Sequence, residues 1–86
     1  MPDTLGILKG YYSNPKSIDV NVNGVYNTDP NVPGTWPESV FKYGVLIVCC
    51  SKSFGGVQLY FPNGGTSVYF RTSYNIGVTW ALWKQI

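Results

Sequence analysis

The sequence predicts an all-β fold: a small antiparallel β-sandwich-like domain with a loop-rich N-terminal arm. Helical periodicity is weak along the chain, while β-branched and aromatic residues fill the intervals between frequent turn residues. Ten glycines and six prolines in 86 residues supply those turns. This length holds one domain, 1–86, read as an arm or stalk remnant over 1–22 and a β-rich region over 23–86.

In chain order, Ile18–Val22 alternates apolar and polar side chains, the pattern of a one-sided strand. Asn23–Gly24 follows as a turn signal, then Val25–Tyr26. Asn27–Glu38 carries Pro30, Pro33 and Pro37. Prolines lack the backbone donor a central strand needs, so the segment reads as an ordered loop packed by Trp36. Tyr43–Cys50 is a continuous apolar run, which predicts a strand buried on both faces. Val57–Phe61 and Ser67–Thr72 flank Pro62–Thr66 and predict a hairpin. Ser73–Gly77 is a turn, and Thr79–Ile86 a closing strand with Trp80 and Trp83 on opposite faces.

A domain of this size buries only about 60–65% of the surface its unfolded chain exposes. Such domains gain stability from disulfides, a metal or oligomerisation. Cys49 and Cys50 are adjacent, so on a strand their sulfurs diverge. With no histidine and no spaced cysteine pairs, a zinc site is not expected. Oligomerisation remains by elimination. The net charge is +2, and Lys9, Lys16, Lys42, Lys52 and Lys84 are scattered, which argues against nucleic acid as a partner. The longest apolar run, Val45–Cys50, is too short to insert in a membrane. Met1–Gly10 lacks the basic lead and apolar core of a signal peptide, and Met1 suits either a native start or one internal to a longer chain. Only 12% of residues are charged while 16% are aromatic, a balance that leaves apolar area for sister subunits or flat ligands.

Enzyme chemistry is not expected. The acids are Asp3, Asp19, Asp29 and Glu38. Glycoside hydrolysis needs two facing carboxylates, whereas Asp29 and Glu38 read as a turn residue and an exposed loop acid. The missing histidine excludes serine–histidine and cysteine–histidine nucleophiles. Burial in an apolar strand is expected to leave both thiols inert. No cofactor is called for.

Strand parity defines the candidate binding surface. Gln58 and Tyr60 share one face of their strand, and Tyr69 and Arg71 share one face of theirs. The opposite set, Val57, Leu59, Phe61, Val68 and Phe70, reads as core. The polar aromatic set then faces outward, to bind carbohydrate or a sister subunit. Arg71, the only arginine, has two readings. One is a contact to a sugar. The other, which is favoured, is a structural bridge stacked on Trp80 or Trp83 that bonds backbone carbonyls. Tyr74 lies in a turn and Trp80 beyond it, and receptor contacts concentrate on loops. The candidate carbohydrate-binding residues are Gln58, Tyr60, Tyr69, Arg71, Tyr74 and Trp80.

Four pieces occur in a recognisable order: Tyr43-Gly-Val-Leu-Ile-Val48, Gly56-Val-Gln-Leu-Tyr60, Val68-Tyr-Phe-Arg71 and Trp80-x-x-Trp83-x-x-Ile86. With Asn23–Tyr26 and Asn31–Pro33 before them, they resemble the knob domain of phage tail fibres and of phage-tail-like bacteriocin fibres over roughly residues 23–86. Residues 1–22 match no part of that pattern. The resemblance implies a knob-like β region on a homotrimeric fibre or tailspike, joined to an upstream fibre chain. It implies a virion protein made in the bacterial host cytoplasm, where thiols stay reduced. The implied role is a non-catalytic receptor-binding tip that holds bacterial surface polysaccharide or lipopolysaccharide. The alternative is a domain that trimerises, caps or chaperones a larger fibre and has no ligand of its own.

Overall fold

A computed structural model describes residues 14–53 and 55–86. Their strands are β1 (Gly24–Thr28), β2 (Gly44–Cys50), β3 (Gly56–Pro62), β4 (Tyr69–Ser73) and β5 (Lys84–Gln85). They form one five-stranded sheet in the order β1-β2-β3-β4-β5, with every neighbouring pair antiparallel. The all-β, antiparallel class therefore holds. Among the described residues the layer facing the sheet is made of loops, where a sandwich would place a second sheet.

Those loops cover one face. Ile18 and Val32, from the segment before β2, join Tyr26, Leu46, Val48 and Tyr60 of the sheet in the buried apolar cluster. Trp36, Val40, Tyr69 and Trp83 pack around it. The proline-rich segment is an ordered loop packed by Trp36, as the sequence predicts. The Trp36 ring meets Tyr60 edge-on at 5.4 Å, and its Nε1 donates to Val32 O. Residues 14–22, grouped by sequence with the arm, are part of this layer, and residues 1–13 lie outside the described residues.

The predicted strand at Ile18–Val22 is instead a turn at Ile18–Asp19 followed by irregular chain with a bend at Val22. Ser17 Oγ accepts from Asp19 N at 3.0 Å, and Val20 N donates to Ser17 O at 3.2 Å. Such local bonds compete with ladder pairing. Asn23–Gly24 does not turn the chain either. The Asn23 side-chain amide exchanges two bonds with the Cys50 backbone, donating to its O at 3.1 Å and accepting from its N at 2.6 Å. It thus extends the β1–β2 ladder by side chain. β2 is buried on one face only: Gly44, Leu46 and Val48 point inward, while Val45 and Ile47 are half-buried and Cys49 is exposed. The closing strand is shorter than expected. Ala81 N donates to Thr72 O and Ile86 N to Val68 O, but only Lys84–Gln85 pairs as strand.

The second face carries rows set by register: Val25, Ile47, Leu59, Phe70 and Lys84, then Asn27, Val45 and Phe61. Phe41 and Tyr43, both exposed, form a ring pair at 5.6 Å just before β2. This face is mostly apolar, with Asn27 and Thr72 as polar margins and Lys84 at the β5 edge as the one charge in its strand rows.

The hairpin register places Gln58 opposite Arg71 and Tyr60 opposite Tyr69, so the four do share a face. That face is the inner one. The assignment of core and surface drawn from the hairpin is reversed: Gln58 and Tyr60 are 0% exposed, while Phe61 is exposed and Val57, Leu59 and Phe70 are half-buried. Pattern reading fails here because the polar groups are satisfied by partners from a distant loop, which removes the usual penalty for burying them.

Candidate functional site

Arg71 is the hub of the inner face. Its side chain is 2% exposed. Nε donates to Gln58 Oε1 at 2.6 Å, and Nη2 donates to Ile18 O at 3.1 Å and to Asp19 Oδ1 at 2.7 Å. Gln58 Nε2 completes the array by donating to Ile18 O and Val20 O, both at 2.9 Å. Burial pushes the guanidinium pKa down, and the Asp19 carboxylate opposes that shift. Among the described residues no buried side-chain nitrogen or oxygen lacks a partner.

Both C-terminal tryptophans face this guanidinium. Trp83 lies 4.4 Å from it and Trp80 5.2 Å, so the expectation that they take opposite faces of a strand does not hold. They sit on a loop rather than a strand, which frees them from alternation. Their indole N–H groups fix them to the N-terminal loop: Trp80 Nε1 donates to Asp19 O at 3.1 Å and Trp83 Nε1 to Thr35 O at 2.7 Å. Arg71 is thus stacked on tryptophan and bonded to a backbone carbonyl, the favoured of its two readings.

The loop between β4 and Trp80 is laced by its own side chains. Ser73 Oγ donates to Asn75 Oδ1 and accepts from Gly77 N at 2.9 Å. Asn75 Oδ1 accepts from Thr79 N at 3.0 Å, and Asn75 Nδ2 donates to Thr79 Oγ1 at 2.8 Å. Ile76 and Gly77 both have positive φ, 57° and 76°, and Val78 N donates to Asn75 O, closing a tight turn. A β-branched residue in that region is strained, at roughly 1–3 kcal/mol, and the lacing holds it there. Gly77 is required twice over, by its φ and because an added Cβ would lie 2.4 Å from Asn21 Cβ and 2.9 Å from Trp80.

This scaffold shapes two open depressions of about 270 Å³ each, one on Asp19, Thr35 and Arg71, the other on Ser73 and Tyr74. Thr79, Trp80 and Ala81 line both, so Trp80 stands at their junction. Each lies just below the roughly 300–1,000 Å³ of sites that enclose drug-sized ligands, a size suited to one small group such as a single ring. An indole offers an apolar ring face, and nearby carboxylate, hydroxyl and backbone groups offer hydrogen bonds.

Of the residues selected from sequence, Tyr74 and Trp80 line the groove, Arg71 forms part of its floor, Tyr69 packs against the core, and Gln58 and Tyr60 are enclosed. Asp19, Thr35 and Thr79 were missed. One signal pointed to Asp19: a lone arginine among apolar residues calls for an anion, and the chain has only four acids.

Asp29 takes an ordinary turn role, and Cys49 is exposed, where the sequence predicts that burial covers both thiols. Asp29 accepts from Asn31 N at 2.8 Å and Asn14 Nδ2 at 2.6 Å, as a turn residue does. Cys49 and Cys50 are free and point to opposite faces; burial raises the Cys50 thiol, and Cys49 is exposed. Among the described residues no group of three or more histidine, cysteine or acidic side chains is arranged to hold a metal ion. Comparison with protein families, with curated proteins and with solved structures finds no match.

Proposed function

We propose that this chain is a non-catalytic receptor-binding tip domain of a phage tail fibre or tailspike, and that it holds bacterial surface glycan in the groove around Trp80. The carrying observation is that one tryptophan, fixed by its N–H, lines two adjoining depressions that also present Asp19, Thr35 and Thr79. A pyranose has an apolar C–H face and a rim of hydroxyls, and a ring beside acceptors and donors complements both. The resemblance of residues 23–86 to fibre knobs supplies the biological setting. Three copies on a fibre would turn weak single-site binding into firm adhesion.

The test is binding of the folded chain to host cells and to purified surface polysaccharide, beside Tyr74→Ala. Tyr74 is 80% exposed, so its removal spares the fold. Saturable binding weakened about ten-fold by Y74A supports the reading. No binding by a folded oligomer contradicts it.

The apolar second face of the sheet favours a second reading, in which the domain trimerises or caps a larger fibre. In that reading the second faces of three sister protomers turn toward the fibre axis and bury one another around a three-fold axis. Glycan binding and trimerisation use different faces, so both can hold. If deletion from the parent fibre abolishes trimers, this reading gains. If trimers persist but adsorption is lost, receptor binding does.

A further inference from the structure

We infer that the groove selects uncharged, hydroxyl-rich saccharides and discriminates against acidic ones; this rests on the glycan-binding reading above. The inference comes from how charge is presented. Among the described residues the only cation lining the groove is Arg71, and its side chain is 2% exposed. Nε and Nη2 are committed to Gln58, Ile18 and Asp19, and the Asp19 carboxylate at 2.7 Å balances the guanidinium's charge, so the pair offers an incoming anion no uncompensated cation. The counter-ion faces outward. The Asp19 side chain is 38% exposed, and its carboxylate lines the groove. Oδ1 takes the bond from Arg71, while Thr35 N donates to Oδ2 at 3.2 Å. A carboxylate offers about four acceptor positions, so Oδ2 keeps capacity for a sugar hydroxyl.

A uronic or sialic acid entering this groove would bring its carboxylate toward Asp19 and find no uncompensated cation among the described lining residues. Like charges brought together in a partly desolvated site repel, and the bound carboxylate would give up hydration without a partner. A neutral sugar meets neither cost. Its hydroxyls donate to Asp19 and exchange bonds with Thr79, while its ring packs on Trp80. Arg71 therefore acts on specificity indirectly, by holding Asp19 and Trp80 in place.

The experiment compares immobilised neutral oligosaccharides with their uronic-acid counterparts of equal length and linkage, and with sialylated chains, at low and high salt. The expected result is at least ten-fold tighter binding of neutral members, with little salt dependence. Val78→Lys provides the second arm. Val78 is 75% exposed on the groove rim, so the change leaves the network intact and should raise affinity for the acidic members several-fold. Equal or tighter binding of acidic chains by the unaltered protein overturns the inference and leaves the glycan-binding reading standing. No binding to any member by the folded protein overturns both.

Discussion

Arg71 and Gln58 sit directly opposite each other on β4 and β3, and Arg71 Nε donates to Gln58 Oε1 at 2.6 Å inside the protein. The pair faces a loop rather than water. It anchors Ile18, Asp19 and Val20, and through Asp19 and Trp80 it sets one wall of the groove.

Removing the hub should therefore cost more than removing its counter-ion. Arg71→Ala leaves Gln58 and the Ile18 carbonyl short of partners and opens space between two tryptophans. Loss of one member of a buried network costs about 3–5 kcal/mol. Asp19→Asn keeps an acceptor for Nη2 but leaves a guanidinium that is 2% exposed without its counter-ion, and should cost about 1.5–3 kcal/mol. Urea unfolding of both variants checks the order; equal losses would assign the stability to the ion pair instead.

Alkaline pH should unfold the protein through its buried tyrosines. Burial raises Tyr26 and Tyr60 above the ordinary value of 10.0. Their neutral hydroxyls donate to Val22 O and Phe41 O, bonds a phenolate cannot make. The unfolded chain then ionises first, so this stability is complete below about pH 10 and is lost as pH rises through the folded values. Melting temperatures between pH 8 and 11.5 should fall on the alkaline side, and less steeply in Tyr60→Phe, which itself costs about 1 kcal/mol.

Gly77→Ala should disturb both stability and the groove. The added methyl meets Asn21 and Trp80 at a backbone angle that side chains resist. A loss of about 2–3 kcal/mol is expected. A shift in near-ultraviolet circular dichroism should accompany it, because Trp80 must move. A stable variant with an unchanged spectrum would contradict the packing described.

The second face should tolerate charge in a single chain and resist it in an assembly. Leu59→Glu lies at the centre of that face, opposite Ile47 and Phe70. The account expects folded protein that no longer associates by light scattering. Unchanged oligomers would place the subunit contact elsewhere.

Much of the fold was legible in the sequence, and the reversal of the hairpin's faces has a specific cause. The β3–β4 hairpin, the Trp36 loop and a strand over the β2 run follow from turn residues and apolar periodicity, although β2 is buried on one face where the continuous apolar run predicts two. The inward side could not be read. Polar parity normally marks the wet face, and Gln58 and Arg71 break that rule only because Ile18, Asp19 and Val20 arrive from about forty to fifty residues away to bond them. The same loop supplies Asp19 to the groove, while Thr35 comes from the proline-rich segment and Thr79 from the loop after β4. Alternation at Ile18–Val22 looked like strand, and only the Ser17 turn revealed otherwise. Tyr74 and Trp80 were legible because aromatic residues among turn residues need no long-range partner to stand out.

The most direct measurement is a titration of purified bacterial surface polysaccharide into the folded protein, followed by tryptophan emission and by a reducing-end assay. The account predicts a saturable emission change, weakened about ten-fold by Tyr74→Ala, with no reducing ends released. No emission change and no binding, or the release of reducing ends, would contradict it.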